Sequence, residues 1–367
     1  MKVALVHDWL NQSGGAEDVL AVLVKMFPQA PIYTSIYSPD SVSAEFRERD
    51  IRVSWVDRLP SVHRQHQPYF IVFPFAFRGF DFSGYDLILS NKSGFCHGIR
   101  KPTGAKHICY CLTPTRYVWD LDNYLKRERF HPVLHTLIGP FVHWLQRWDR
   151  GAADEVDYFV SISSAVQRRI KRFYGRDSDI IYPPVDTGRF RPNSQKGEYF
   201  LVVSRLIPYK RIDLAVQACT RLGLRLIVAG TGRDRPRLEA LSGPTVEFVG
   251  RVPDSDLPEL MERCRAFVFP GREDFGIAPV QAMAAGRPVI AYAAGGALDY
   301  VRDGVTGILF KEQSVNALSD ALHGFKGDQF DANNIRAEAL RFDRSRFESK
   351  LYNLIGKVWN SENISSQ

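Results

Sequence analysis

The chain has 367 residues, of which 45% are hydrophobic and 24% charged, a composition typical of a globular protein with two domains. No apolar run reaches the ~18 residues needed to span a bilayer, and the five cysteines lie mostly in apolar segments, which predicts reduced thiols and no disulfide framework. The net charge of +7 and the pI of about 9.1 favour an anionic partner, and because the chain carries no nucleic-acid-binding motif we expect no nucleic acid among its partners.

The first half of the chain opens with a buried strand and a glycine-containing loop. The strand over residues 2–7 begins at once, with no signal-peptide anatomy, which favours a cytoplasmic protein. The loop over residues 11–15 leads into a helix over 16–27, whose apolar residues recur at three-to-four spacing. This is the first unit of a parallel α/β sheet. Further strands are predicted at 32–35, 87–90, 107–111 and 158–161.

Strands and helices alternate more regularly in the second half. The strands are predicted at 199–203, 225–229, 246–249, 266–269, 288–292 and 307–310, and the helices at 211–222, 233–241, 256–264, 276–285, 297–301 and 315–325. This alternation is typical of a doubly wound parallel sheet. We therefore expect an α/β protein with two Rossmann-like lobes facing across a cleft.

The domain boundary is predicted beside two consecutive prolines, Pro183 and Pro184, which fix an extended link. We expect an N-terminal, acceptor-side domain over residues 1–185 and a C-terminal, nucleotide-sugar-binding domain over 186–344. A helical stripe over residues 345–360 is expected to return to the first domain.

Residues 273–290 form the most informative stretch of the chain. Glu273 follows a predicted strand, and Phe275-Gly276-Ile277 opens an apolar helix. A carboxylate beside a glycine-opened helix N-terminus is suited to bind a polyol and a phosphate together. The free N–H groups attract the anion, and the carboxylate accepts hydroxyl hydrogen bonds.

Two cations, Arg205 and Lys210, follow the strand over residues 199–203. Both are expected at the C-terminal edge of the sheet, where open α/β sheets bind ligands. Fixed cations there stabilise the charge of a diphosphate leaving group without a metal. The alternative is a solvated pair of basic residues.

Two further strand ends carry glycines. Gly230 follows the strand over residues 225–229 and would let a ligand approach the backbone closely. Arg251 and Val252 follow the next strand and would present their backbone groups to the base of a nucleotide. Glycines required only for packing are the alternative at both places.

These segments resemble the retaining, nucleotide-sugar-dependent glycosyltransferases of family four, in the branch of the bacterial polysaccharide mannosyltransferases. The resemblance extends over residues 199–310 and, in the first half, over 6–10, 14–17 and 110–120. It implies the GT-B fold and a nucleotide-sugar donor as substrate, with no separate cofactor. We expect no metal either, since no Asp-x-Asp motif is placed to hold one and the Cys109–Cys111 pair lacks the further ligands of a zinc site.

The resemblance also implies the roles of individual residues. Arg205 and Lys210 would contact the donor diphosphate, and Glu273 would hold sugar hydroxyls. The backbone of Phe275, Gly276 and Ile277 would contact the sugar and phosphate, and position 281 would contact the nucleotide ribose. Gly14 and Gly15 would let the first domain approach donor and acceptor.

Two positions depart from the family pattern. Gln281 stands where the family has a glutamate, so a hydrogen bond there loses its charge assistance, roughly half of its strength. Leu112 stands where the family has a histidine near the donor sugar, and a hydroxyl facing leucine would be buried unsatisfied at ~1–3 kcal/mol. Either the donor sugar lacks that hydroxyl, as a 6-deoxy sugar does, or catalysis is impaired.

No nucleophile is paired with a base in the sequence. His7 and Asp8, at a strand end beside the glycine loop, are the best acceptor-side candidates. Asp8 would orient the acceptor hydroxyl, or it would be a structural residue that caps the turn. The resemblance implies front-face attack with retention, the departing phosphate taking the acceptor proton.

Residues 123–150 combine aromatic and basic residues at helical spacing, interrupted by two prolines. Such a stretch suits an anionic membrane surface and a lipid-linked acceptor, and a helix pair facing the core is the alternative. A second basic run occupies residues 168–172. These features favour a cytoplasmic protein at the periphery of the plasma membrane.

The sequence therefore predicts a retaining hexosyltransferase. It would move a sugar from GDP-mannose or a related donor to a lipid-linked or surface-polysaccharide acceptor. A nucleotide-sugar epimerase or a glycogen-type synthase is an enzymatic alternative. A catalytically weak pseudo-glycosyltransferase that acts as a scaffold is the alternative from another class. A two-lobed periplasmic binding protein is disfavoured by the Arg205–Lys210 pair.

Overall fold

A computed structural model of the chain describes residues 1–64, 67–120, 132–192 and 197–360. Packing divides the chain into two units. Unit 1 comprises Met1–Pro184 and the C-terminal segment from Phe347, and unit 2 comprises Val185–Arg346.

Unit 1 contains a parallel sheet of seven strands in the order β3-β2-β1-β4-β5-β6-β7. The strands are β1 Val3–His7, β2 Ile32–Thr34, β3 Ile51–Val53, β4 Leu87–Lys92, β5 Lys106–Cys111, β6 Tyr158–Ser161 and β7 Ser178–Ile180. The order reverses between β1 and β4. The sequence analysis missed β3 and β7, because these edge strands have three residues each and lack the buried apolar run of the others.

Five helices accompany this sheet in the described part of unit 1 before residue 184. They are α1 Gly15–Met26, α2 Phe73–Arg78, α3 Arg116–Trp119, α4 Pro132–Asp154 and α5 Ser164–Tyr174. Pro140, expected to interrupt the helical stretch, lies inside α4. One apolar face of the sheet packs against α2 and α4, for example through Phe77 and Leu145, which are fully buried.

Unit 2 contains a second parallel sheet, of six strands, in the order β10-β9-β8-β11-β12-β13. The strands are β8 Tyr199–Val203, β9 Leu226–Ala229, β10 Val246–Gly250, β11 Cys264–Phe269, β12 Val289–Tyr292 and β13 Gly307–Phe310. The order reverses between β8 and β11. Two parallel sheets with one reversal each confirm the predicted doubly wound α/β class.

The later helices are α6 Ile212–Leu222, α7 Arg235–Ala240, α8 Leu257–Glu262, α9 Ile277–Ala284, α10 Val315–His323, α11 Ala332–Ala339 and α12 Arg344–Asn360. The predicted helix over residues 297–301 is wrong. The segment is a 3-10 turn, Gly295–Asp299, entered through Gly295 at a φ of +69°. The sequence analysis did not predict α11.

The chain enters and leaves unit 2 at adjacent points. Val185 N donates to Phe342 O at 2.9 Å, and Arg344 N donates to Val185 O at 3.0 Å. Beyond this pair, Phe347 packs edge-on against Tyr110 of β5, with ring centroids 5.5 Å apart. Among the described residues, no helix is both long enough and apolar enough to cross a bilayer.

Candidate functional site

The predicted donor residues of unit 2 gather where its strand order reverses. Arg205 and Lys210 follow the carboxyl end of β8, and Glu273 follows the carboxyl end of the neighbouring strand β11. Open α/β sheets bind their ligands outside the carboxyl ends of the strands, at this switch point. The fold therefore brings three residues from distant parts of the sequence to the edge where a ligand is expected.

Lys210 and Glu273 are in direct contact. The ammonium group of Lys210 donates to Glu273 Oε2, and both side chains are only 14% exposed. Lys210 ends a short 3-10 turn, Pro208–Lys210, and its Nζ also lies 5.3 Å from the centre of the Tyr209 ring. A cation and a carboxylate held together at a sheet edge present a charge for phosphate beside an acceptor for hydroxyl groups.

Two glycines that the sequence analysis overlooked hold the Glu273 backbone. Gly296 N donates to Glu273 O at 2.9 Å. Gly295 has a φ of +69°, and a Cβ at that position would clash with the same carbonyl oxygen. The paired glycines, which follow the end of β12 after two alanines, were the available signal, because a Gly-Gly pair near a strand end marks a close backbone approach.

The turn after Glu273 opens helix α9. Phe275 is buried, and Tyr300 Oη donates to its carbonyl oxygen at 3.0 Å. Gly276 takes the N-cap position at a φ of +93° and provides no side-chain cap. Ile277 begins the helix, and Gln281, half-buried, lies four residues on and thus on the same helical face. The helix N-terminus and Gln281 therefore follow Glu273 closely along the chain.

The remaining donor residues of unit 2 occupy neighbouring strand ends. Arg205 is exposed after β8, and Arg251 and Val252 follow β10, two strands away. Gly230, after β9, has a φ of +131°, and a Cβ there would clash with Ser204 O. Close packing of two strand ends therefore accounts for Gly230, which favours the packing alternative at this position.

The predicted residues of unit 1 lie near the reversal of its own sheet. Gly14 is the N-cap of α1 and Gly15 its first residue. Leu112 directly follows β5, is 9% exposed, and donates its N–H to Lys92 O at 2.8 Å. A nonpolar side chain thus occupies the position where the family pattern has a histidine.

Asp8 has a structural role, which corrects its assignment to the acceptor. Its carboxylate is fully buried and accepts four hydrogen bonds, from Ser93 N, Gly94 N, Cys96 N and Ser93 Oγ, at 2.6 to 3.2 Å. Both oxygens are therefore committed to the loop after β4. These bonds favour a structural role for Asp8, but the segment that it holds is the loop after β4 and not the turn of the glycine loop.

A buried charge network beneath Leu112 also escaped the sequence analysis. Lys92 and Asp149 are fully buried with Nζ and Oδ1 4.0 Å apart, and Asp149 Oδ2 accepts from Trp119 Nε1 and Tyr174 Oη at 2.6 Å. Burial opposes the charge of Lys92 most strongly, but the summed attraction of the surrounding groups, Asp149 foremost, outweighs it and holds the Lys92 pKa above its ordinary value. The network ties α4 and α5 to the loop that follows β5.

All five cysteines are buried, and none of them forms a disulfide. Burial raises the pKa of Cys264 to about 12, so this thiol is protonated and unreactive at neutral pH. Within the described ranges, no group of three His, Cys, Asp or Glu side chains could hold a metal ion. Independence from metals stays a prediction.

Two family models match the chain and together extend from residue 13 to residue 341. The model described as "Glycosyltransferase Family 4" matches residues 13–189, and the model described as "Glycosyl transferases group 1" matches residues 186–341. The second match contains every predicted donor residue of unit 2, and the first contains Gly14, Gly15 and Leu112.

Two curated proteins are similar in sequence. A human alpha-1,3/1,6-mannosyltransferase, ALG2, is 25% identical over 402 aligned residues, which cover 94% of this chain and 93% of that protein. A D-inositol 3-phosphate glycosyltransferase of Mycobacterium bovis is 29% identical over 200 residues, which cover 47% of this chain and 42% of that protein.

Solved structures share the fold. HepE of Anabaena in complex with UDP is similar with a TM-score of 0.70 and 21% identity, covering 97% of this chain and all of that one. A sucrose-phosphate synthase of Thermosynechococcus elongatus has a TM-score of 0.77 and 17% identity, covering 98% of this chain and 100% of that one. Together with the two parallel sheets, these similarities confirm the predicted GT-B fold.

Proposed function

The chain belongs to glycosyltransferase family 4, and from this premise we propose that it is a retaining, metal-independent hexosyltransferase that transfers a sugar from a nucleotide diphosphate to a glycan acceptor. The observation that carries the proposal is the Lys210–Glu273 pair at the switch point of unit 2. The acceptor is a lipid-linked or surface-polysaccharide intermediate.

The pair supports donor binding through its charges. Lys210 and Arg205 offer two cations to a diphosphate, and charge-assisted hydrogen bonds of this kind are about twice as strong as neutral ones. As the glycosidic bond breaks, negative charge develops on the departing diphosphate, and cations already fixed in place stabilise it without reorganisation. These side chains therefore act as leaving-group stabilisers in the absence of a metal ion.

The carboxylate of Glu273 supports sugar binding beside the diphosphate. Glu273 lies three residues before Gly276, the N-cap of α9, which provides no side-chain cap. A carboxylate that accepts from sugar hydroxyls and a helix N-terminus that donates to phosphate therefore lie within a few residues of one another in the chain. The acceptor hydroxyl attacks from the face of the departing phosphate, which takes its proton, and the anomeric configuration is retained. Asp8 has no part in this step, since its oxygens are committed to the loop after β4.

Mannose is the donor sugar that the human relative favours. The human relative that aligns with nearly the whole chain is described as a mannosyltransferase, so GDP-mannose is the first donor to try. The buried Leu112 favours a 6-deoxy sugar over its hydroxylated parent, because a hydroxyl facing it would stay unsatisfied. We therefore propose GDP-mannose or its 6-deoxy counterpart as donor.

A lipid-linked acceptor is supported by exposed aromatic residues on unit 1. Phe141 and Trp144 of α4 are 49% and 39% exposed, and Trp144 stacks on Phe75 of α2, which is 51% exposed. Leu145 and Trp148, which belong to the aromatic and basic stretch over residues 123–150, pack against the core, so the core-facing alternative holds for these two residues. The side chains of residues 123–138 lie outside the described part of this stretch.

Flotation with anionic vesicles tests the membrane proposal. We expect the protein to float at low salt and to lose this property when Phe141 and Trp144 are replaced by serine. The matched control replaces Tyr352, which is 48% exposed on α12. Absence of the wild-type protein from the floated fraction at low salt would end the proposal.

A scaffold without turnover remains the second candidate, and Leu112 and Gln281 are the observations that favour it. A panel of GDP-, UDP- and ADP-sugars with glycoside acceptors separates the two. Binding of one donor with release of its nucleoside diphosphate supports the transferase. Saturable binding of a donor with no release from any member of the panel supports the scaffold.

A further inference from the structure

The polar end of β1 meets β4 at the point where the strand order of unit 1 reverses. His7 closes β1 and lies opposite Asn91 of β4 in the parallel register. Glu17, in the first turn of α1, faces His7, and its Oε1 lies 3.6 Å from His7 Nε2. His7, Glu17 and Asn91 are at most 4% exposed, and we call them the unit 1 triad.

Each member of the triad has one polar atom without a hydrogen-bond partner. These atoms are His7 Nε2, Glu17 Oε2 and Asn91 Oδ1. Buried polar atoms in folded proteins almost always have a partner, so three such atoms in one cluster indicate a site that an external group completes. The cluster also lies at the switch point, where open α/β sheets bind ligands.

The hydrogen bonds of Asn91 assign the proton of His7. Asn91 Nδ2 donates to Ala16 O at 2.8 Å and faces His7 Nδ1 at 3.3 Å. An amide nitrogen only donates, so His7 Nδ1 accepts, and the neutral ring carries its proton on Nε2. The triad thus offers an N–H donor beside a carboxylate acceptor. A hydroxyl group, which both accepts and donates, complements this arrangement.

Gly14 lies directly against the Glu17 carboxylate. Its φ of −178° is extended backbone that any residue adopts, so the conformation alone does not require glycine. A Cβ at this position would lie 3.3 Å from the buried Glu17 Oε2. The glycine therefore keeps carbon atoms away from that oxygen at the start of α1.

Helix capping does not account for Glu17. A glutamate at the third helical position commonly accepts a hydrogen bond from the N-cap N–H. Here Glu17 Oε2 has no hydrogen-bond partner. The other oxygen, Oε1, faces His7 and lies 3.5 Å from Gln12 Nε2. The carboxylate also places a negative charge at the helix N-terminus, which disfavours a phosphate there and favours a neutral polyol.

We propose that the unit 1 triad binds a hydroxyl group of the acceptor sugar, with Glu17 Oε2 as the acceptor of its hydrogen bond. The proposal rests on the proposed function, in which the cations of unit 2 take the donor diphosphate. His7 donates to the same hydroxyl, and Asn91 is a positioning residue that fixes the His7 ring.

Glu17→Gln tests the proposal, because it keeps the size of the side chain and removes its charge. The probe is methyl α-mannoside, measured by its KM in transfer and by saturation-transfer NMR without donor. We expect KM to rise by about tenfold, the loss of a hydrogen bond to a charged group, while donor affinity and acceptor-free donor hydrolysis stay within about twofold. Glu45→Gln, the same change at the half-exposed Glu45 of unit 1, is the control.

Gly14→Ala is a second variant, which places a Cβ against Oε2 and leaves the triad intact. It should reduce NMR saturation of methyl α-mannoside, whereas Gly151→Ala, where an added Cβ meets nothing within 4 Å, should not. An unchanged KM in Glu17→Gln together with unchanged saturation in both Glu17→Gln and Gly14→Ala would overturn the proposal, and so would the absence of saturation by the wild-type protein. If the proposed function itself is wrong, the wild-type protein will not bind a nucleotide sugar, and this result is distinct from any change in the acceptor measurements.

Discussion

Lys210 and Glu273 form an ion pair that joins the carboxyl ends of two neighbouring strands, β8 and β11. In this arrangement the carboxylate restrains the lysine and also competes with any phosphate for it. The pair therefore predicts opposite effects on the two parts of a nucleotide sugar when the carboxylate is removed.

Glu273→Gln should separate sugar binding from diphosphate binding. Removing the negative charge frees Lys210, so the affinity for a nucleoside diphosphate should rise by about twofold to tenfold, the range expected for a partly exposed ion pair. Transfer should fall by about 100-fold, since the sugar loses its charged acceptor. Calorimetry with the nucleotide and a turnover assay measure the two effects. A variant with weaker diphosphate binding and normal turnover would show that the pair has another role.

Gly295 should be essential for the position of Glu273. Gly295→Ala places a Cβ against Glu273 O and should abolish donor binding. Gly304→Ala is the matched control, because Gly304 has a similar φ of +74° but an added Cβ there meets nothing within 4 Å. Both variants should lose about 1–2 kcal/mol of stability for the left-handed backbone. Equal donor affinity in the two variants, measured by calorimetry, would contradict the account.

Leu112 should set the preference at the donor sugar. The wild-type protein should turn over a 6-deoxy donor faster than its hydroxylated parent, because leucine leaves a hydroxyl unsatisfied at ~1–3 kcal/mol. Leu112→His should shift the preference toward the parent by about tenfold. Competition between the two donors, with products separated by mass, measures the ratio. A clear wild-type preference for the parent would refute the deoxy-sugar hypothesis.

Two buried histidines should make unit 1 sensitive to acid. Burial lowers the pKa of His107 to about 3 and lowers the pKa of His97 well below its ordinary value. The unfolded chain binds protons at these rings below about pH 6.5, whereas the folded chain does not. The free energy of unfolding therefore contains a contribution from these two neutral rings that is fully present above that pH. This contribution is lost as the pH falls toward 3, by about 1.4 kcal/mol per pH unit for each ring.

Denaturant unfolding at several pH values tests this dependence. His107→Gln, whose amide can still meet Ser90 Oγ, should reduce the slope of stability against pH between 6 and 4 by about 1.4 kcal/mol per unit. His143→Gln, at an exposed ring, should leave the slope as it is. The same slope in His107→Gln and wild-type protein would show that His107 takes up its proton while folded.

The sequence was sufficient to predict the strands that are buried and apolar. Strands β8 and β13 were predicted with the bounds that the structure has, whereas β3 and β7 were missed because short, half-exposed edge strands carry no alternation or apolar run. The composition of residues 297–301 predicts a helix where the structure has a turn, since composition alone does not reveal the positive φ of Gly295.

The candidate site was predictable only where residues adjoin a strand end. Arg205, Lys210 and Glu273 follow β8 and β11, and the parallel order of the sheet then brings them together. Of the unit 1 triad only His7 was a candidate from the sequence, because the set depends on the rotation of Glu17 toward His7 and on the register that places Asn91 opposite. Asp8 illustrates the opposite case, a residue at the right strand end whose carboxylate is committed to a neighbouring loop.

The account depends most on the claim that the switch point of unit 2 binds the diphosphate of a nucleotide sugar. Calorimetric titration of GDP-mannose and UDP-glucose into the wild-type protein and into Lys210→Gln tests it most directly. Lys171→Gln, which breaks an exposed ion pair in unit 1, is the control. We predict saturable binding of one donor by the wild-type and control proteins, and a loss of about 10- to 100-fold in affinity in Lys210→Gln, the effect of one hydrogen bond to a charged phosphate. Equal affinity in all three proteins, or no binding of either donor by the wild-type protein, would contradict the claim.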